Sequence, residues 1–167
     1  MTPHAALRAV LPLLLALLSV TAPLAAEPPI RVSRPFEISP DFLPGDRYMA
    51  ATLLGSLVLS GAKIDGLGLD ELSGLAWDED EGLLYAVSDT GALFHLVPRF
   101  EGTRLVDIDA VAAFRLSGPD GAPLNDDRSD AEALAIENGA NGVSGDTRLF
   151  VSFEQTPRIA EHRPDGA

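Results

Sequence analysis

Five carboxylates stand at matching places in two copies of one sequence pattern. The first copy reads Glu71-Leu-Ser-Gly-Leu-Ala-Trp77 and then Leu84-Tyr-Ala-Val-Ser-Asp89, and the second reads Asp130-Ala-Glu-Ala-Leu-Ala-Ile136 and then Leu149-Phe-Val-Ser-Phe-Glu154. Aligning Leu75 with Leu134 sets Glu71 against Asp130 and Ser73 against Glu132, and aligning Tyr85 with Phe150 sets Asp89 against Glu154. Glu71, Asp89, Asp130, Glu132 and Glu154 are therefore the candidate metal ligands. Calcium (Ca2+) takes about six to eight oxygen ligands in flexible geometry, which carboxylates from adjacent repeats supply together with backbone carbonyls. Glu132 and Glu154 are also the candidate catalytic carboxylates, since a metal-bound water with a carboxylate as general base suits a hydrolytic reaction. Glu132 lies between Ala131 and Ala133 in a small, apolar strand, where a lone carboxylate is costly without a cation or donors. For Glu71, Asp89 and Asp130 a strand-end cap or turn is the alternative. Arg158, in the turn of chain after Glu154, offers a planar fork for a phosphate or carboxylate, or a salt bridge to Glu154 itself.

These residues need strands to hold them. Leu72 to Trp77 and Leu83 to Ser88 are rich in strand-forming residues and bounded by Asp78-Glu-Asp-Glu-Gly82 and Asp89-Thr-Gly91, which predicts a hairpin. Ala92 to Val97 and Arg104 to Leu116 extend it to four strands, the last with Leu105, Asp107 and Asp109 alternating against Val106, Ile108 and Ala110. A polar connection from Ser117 to Asp130 leads to Ala131 to Glu137, a Gly- and Asn-rich turn over Asn138 to Asp146, Thr147 to Phe153, and a third strand begun by Pro157 to Arg163. A repeat of about sixty residues lies within the looser range of propeller blades, whose equivalent positions meet around a central channel. The expected fold class is all-β: an N-terminal fragment, about one and a half blades, of a β-propeller made of antiparallel four-stranded meanders. The remaining blades are expected beyond Ala167, because an incomplete array leaves faces and edges uncovered.

Ahead of the repeat, Met1 to Ala26 has a basic start, an apolar run from Ala9 to Val20 and small residues up to Ala26, the tripartite pattern of a signal peptide. The apolar run is interrupted by Pro12 and is shorter than the roughly 20 residues a spanning helix needs, so the expected product is periplasmic or secreted, with no stable membrane anchor. Residues 27–66 read as a lead-in and N-terminal strand: extended and proline-rich to Pro35, loop from Phe36 to Arg47, and strand from Tyr48 to Ser60. Residues 67–167 are the repeat domain. The chain has 12 Lys and Arg against 25 Asp and Glu, and loss of Arg8 with the signal leaves 11. Such a field disfavours nucleic acid and anionic membranes and favours divalent cations, although acidity also serves solubility alone. With no cysteine, the chain has no disulfide, no thiolate zinc site and no lipid-modified Cys.

At Glu71-Leu-Ser-Gly-Leu-Ala-Trp77, Leu84-Tyr-Ala-Val-Ser-Asp89, Asp130-Ala-Glu-Ala-Leu-Ala135 and Val151-Ser-Phe-Glu154 with Pro157-Arg158-Ile159, the chain resembles the phytase-like family described as having esterase-like activity. The resemblance covers Leu67 to about Arg163. It implies exported bacterial β-propellers that hydrolyse phosphate or carboxylic esters, and the more distant propeller phytases hold calcium with carboxylates to bind and activate phosphate. Ala133 departs from the family pattern, which has glycine directly after the Glu.

Other chemistries find little support. His95 and His162 are the histidines left after the signal, the Ser88-Asp89 pair lacks a G-x-S-x-G elbow, and there is no P-loop, G-x-G-x-x-G or EF-hand loop. A highly phosphorylated substrate would call for several basic residues, whereas Lys63 is the single lysine. Asp78-Glu-Asp-Glu81 reads as a solvated hairpin turn, and Trp77, Tyr85, Phe94, Phe150 and Phe153 as core between blades. The rival to a small-molecule ester hydrolase is a non-catalytic propeller that binds a ligand or protein, with calcium structural or absent.

Overall fold

The computed structural model describes residues 28–167, so the signal-peptide expectation for 1–26 lies outside them. Fourteen short strands follow in order: β1 Ile30–Arg31, β2 Ser33–Pro35, β3 Arg47–Tyr48, β4 Ala51–Thr52, β5 Leu57–Leu59, β6 Lys63–Ile64, β7 Leu67–Gly68, β8 Leu72–Asp78, β9 Leu83–Ser88, β10 Ala92–Glu101, β11 Arg104–Arg115, β12 Ala131–Glu137, β13 Arg148–Phe153 and β14 Arg158–His162. All pairings are antiparallel. The chain is all-β as expected, with two sheets that carry the repeat.

The first sheet has the order β1-β11-β10-β9-β8, a four-strand meander with one strand added at its outer edge. The second has the order β12-β13-β14. Strand-forming runs bounded by turns produce these hairpins, and period-two alternation decides what each face meets. On β9 and β10, Tyr85, Val87 and Leu93 face the second sheet and join Leu116, Leu124, Ala131, Leu149, Val151 and Phe153 in a core between the sheets. Ala86, Phe94 and Leu96 face the other way and are covered by Val32, Ile64 and Leu69 from the N-terminal segment. Burying each large side chain here contributes about 1.5–3 kcal/mol.

Several local expectations are corrected. The segment from Tyr48 to Ser60 is not one strand: β3 and β4 form a hairpin around Met49, whose φ is 54°, and β5 follows separately. Between them Gly55 passes against the backbone of Leu105, where a side chain has no room, and Leu105 N–H donates to the Leu54 carbonyl at 3.2 Å. The extended lead-in is paired. Ile30 and Arg31 lie opposite Ala110 and Asp109, giving the outer edge of β11 a partner. Arg31 also pairs with buried Asp107 at 2.6 Å, to which Ser33 Oγ donates at 2.6 Å. β10 runs on through Pro98 to Glu101, because β9 pairs with it only as far as Leu96 and the missing proline N–H has no partner to lose. Trp77 is 46 % exposed and Phe150 half-buried, whereas Tyr85, Phe94 and Phe153 are core. Trp77 lies opposite Leu84 in β9 and lines a hollow with Ile136 and the Asn138 to Asn141 loop of the second sheet.

The acidic hairpin tip is a further correction. Asp78 is fully buried, accepting from Glu81 N–H at 3.0 Å and from the Thr147 hydroxyl. Asp80 accepts from the N–H groups of Asn141 and Gly142 at 2.8 and 3.0 Å, and Glu81 from that of Gly145 at 2.7 Å. This turn clasps the Asn138 to Asp146 loop of the second sheet instead of sitting free in water. Carboxylates accepting several backbone N–H groups are a good match for a Gly-rich loop, which exposes its amides.

Candidate metal centre

The two hairpins end alike at the opposite pole of the sheets. Asp89 N–H donates to the Glu71 carbonyl at 3.2 Å, and Glu154 N–H donates to the Asp130 carbonyl at 3.0 Å. Each hairpin also slips register at one residue: Leu72 and Gly74 lie opposite Ser88 and Val87, and Ala131 and Ala133 lie opposite Phe153 and Ser152. Ser73 and Glu132 are thus the extra residues of two equivalent β-bulges, a device that turns a side chain out of the pleat. The alignment of Ser73 with Glu132 read from sequence is the structural equivalence.

Carboxylate oxygens of Asp130, Glu132 and Glu154 lie within 4.8 Å of one another. Asp130 is half-buried and the two glutamates are exposed. The Glu132 carboxyl is raised above its ordinary value, chiefly by partial loss of solvent and then by the neighbouring carboxylates of Glu154, Asp130 and Asp89. Glu71 is raised as well, chiefly by the charge of neighbouring Asp89 and less by partial loss of solvent. Asp89 therefore acts on both groups, and its Oδ1 is buried with no hydrogen-bond partner. Glu71 stands in the left-handed region at φ 50°, an uncommon setting for a residue with a side chain.

Hard oxygen donors at this spacing, crowded enough to repel, fit a divalent cation such as calcium. Asp130, Glu132 and Glu154 form the group itself, and Glu71 and Asp89 form a second acidic pair whose charge reaches Glu132 through Asp89. Arg158 does not form the salt bridge to Glu154 that was one of its two foreseen roles. Its guanidinium lies 3.7 Å from the centroid of the Phe153 ring and donates to the carbonyls of Thr156 and Arg128, the former at 3.0 Å, and it makes no ion pair with Glu154. Burial and the charge of Arg128 lower its pKa.

Sequence reasoning passed over the Ser73 hydroxyl, which donates to the carbonyl of Ala131 across the junction of the sheets. Beside it, a Cβ on Gly74 would stand 2.6 Å from Leu134 N and 2.9 Å from the Ala133 carbonyl carbon, so only glycine admits the second sheet's first strand so closely. The signal was present in the alignment: the residue opposite Glu132 is polar and the residue after it has no side chain.

A family model described as esterase-like activity of phytase, phytase-like, matches residues 68–167. No curated protein and no solved structure matches the chain. The chain belongs to the phytase-like family.

Proposed function

We propose that this chain is an exported, calcium-assisted hydrolase of phosphate or carboxylic esters, carried on a β-propeller of which the two sheets are successive blades. The observation that carries the reading is the convergence of Asp130, Glu132 and Glu154 at the strand ends of a repeat. Asp130, Glu132 and Glu154 would hold the cation, and Glu71 with Asp89 would complete an acidic rim. When bound, calcium there supplies Lewis-acid polarisation of an ester oxygen.

The chain's own groups do the rest. Within the gathered group, Glu132 or Glu154 would take the proton of an attacking water. Arg158, flat on the ring of the residue before Glu154, contributes a fixed positive charge for an anionic ester group. Small-molecule esters with one anionic group fit better than highly phosphorylated ones, since Lys63 is the single lysine. Nucleic acid and a stable membrane anchor have no place in the reading; among the described residues no helix is long and apolar enough to cross a membrane.

The test is hydrolysis of phosphate, aryl and lactone esters by the full-length protein with and without chelator. Loss of activity in chelator, and its abolition by Glu132→Gln and Glu154→Gln with near-ultraviolet circular dichroism unchanged, is expected. Activity that survives chelation would sink the metal mechanism. No hydrolysis of any ester would leave the non-catalytic binding module as the better reading.

A further inference from the structure

The strand that carries Glu132 is gripped by the first sheet on both sides of that residue. On its N-terminal side the Ser73 hydroxyl donates to the Ala131 carbonyl. On its C-terminal side Gly74 lies against the Ala133–Leu134 peptide. Ala131 itself is fully buried in the core between the sheets. The same hydroxyl lies 3.4 Å from the carbonyl of Val87, the residue opposite Gly74 in the first hairpin. One side chain therefore ties the bulge of the first sheet to the bulge of the second.

A bulged residue leaves the ladder locally unpaired, so its direction has to be set by something outside the ladder. For Glu132 the neighbours on its own sheet push the wrong way: Glu154 and Asp130 are both carboxylates. Left to itself, the bulge relieves that repulsion by turning Glu132 outward, toward water. We infer that Ser73 is a positioning residue for the carboxylate site, holding the Asp130–Glu132 segment so that the Glu132 carboxylate stays gathered with Asp130 and Glu154. The inference rests on the reading of that group as a cation site and adds the residue that presets it. It also accounts for the difference between the two bulges, since the first spends its extra residue on support and the second on a ligand. Groups that orient ligands without touching the ion commonly control affinity by about 10- to 100-fold.

The experiment is titration of the chelator-stripped full-length protein with calcium and with terbium, for the parent, Ser73→Ala, Ser73→Thr and Glu132→Gln, alongside thermal midpoints of the metal-free proteins. Ser73→Ala is expected to weaken both cations about tenfold with its midpoint within a few degrees of the parent. Ser73→Thr, which keeps the hydroxyl, is expected to restore affinity. Equal affinity in Ser73→Ala and parent, while Glu132→Gln binds weakly, would overturn the positioning role and leave the cation site standing. A lowered midpoint without change in affinity would do the same, as would failure of Ser73→Thr to recover what Ser73→Ala loses. A parent that binds neither cation would overturn the site reading and this inference with it. If Ser73→Ala does not fold, Ser73→Cys, of similar size and with a weak donor, replaces it under the same criteria.

Discussion

The two bulges at Ser73 and Glu132 have the same register slip and the same closing hydrogen bond, yet one end of the repeat gathers three carboxylates and the other two. The backbone frame is duplicated and the chemistry is not. A single position, with hydroxyl in one copy and carboxylate in the other, separates the end with two carboxylates from the end with three. The neighbouring position differs in the same sense. Gly74 receives a backbone from the next sheet, whereas Ala133, its counterpart, carries a methyl group on an exposed face. Duplication of the hairpin frame thus supplies the scaffold, and divergence at two adjacent residues sets the two ends apart.

The largest effect is expected from breaking this asymmetry at Gly74. In Gly74→Ala the added carbon meets backbone atoms at 2.6 and 2.9 Å, and backbone cannot swing aside as a side chain can. A loss of about 3 kcal/mol is expected in urea unfolding, at the upper end of the usual cost of overpacking. Ala133→Gly, the mirror change, should cost no more than about 1 kcal/mol, through chain entropy alone. Similar losses at the two positions would mean that the sheets are not joined as described.

A smaller effect is expected at the far pole, where the copies differ in their turns. The first sheet turns tightly through Asp78 to Gly82 and the second uses the long loop from Asn138 to Asp146, which the first turn clasps. Asp80→Ala removes the acceptor for two loop N–H groups. Because the turn is partly solvated, a loss of about 1 kcal/mol is expected, together with faster hydrogen exchange at Asn141 and Gly142. Unchanged exchange at those amides would show that the loop holds itself.

Much of the molecule could be read from its residues, and the failures have a common cause. The hairpins followed from period-two alternation and turn residues, which are local properties, and the equivalence of Ser73 with Glu132 from aligning the two copies of the repeat. The gathering of Asp130, Glu132 and Glu154 followed from the strand ends they occupy. What local pattern could not supply was the partner of each exposed-looking segment. The lead-in became an edge strand because β11 was there to pair with. The acidic turn became a clasp because a Gly-rich loop far along the chain came to rest on it. Arg158 turned away from Glu154 because the Phe153 ring and two carbonyls offered a flat, polar seat. In each case a long-range contact displaced the nearest neighbour in sequence.

The smallest expected effect belongs to one more pair of equivalent positions. Leu96 lies opposite Leu84 in the first sheet, and His162 lies opposite Leu149 in the second, so one slot holds an apolar residue in one copy and a titratable one in the other. His162 is 4 % exposed and neither ring nitrogen has a hydrogen-bond partner. Burial lowers its pKa, the backbone of Gly166 offsets this in part without meeting hydrogen-bond geometry, and the charge of Arg158 adds to the lowering. A histidine with a lowered folded-state pKa contributes stability that is fully present above its unfolded value of about 6.5 and is lost as pH falls through the folded value. The urea midpoint of the parent should therefore decline between about pH 7.5 and pH 5. His162→Leu, which makes the second slot like the first, should flatten that decline without abolishing it. His95 would carry the remainder, because burial lowers its pKa while the Pro164 carbonyl, 2.8 Å from its Nε2, partly restores it. An identical slope in parent and His162→Leu would mean that the slot tolerates the charged ring, and that this difference between the copies has no consequence for stability.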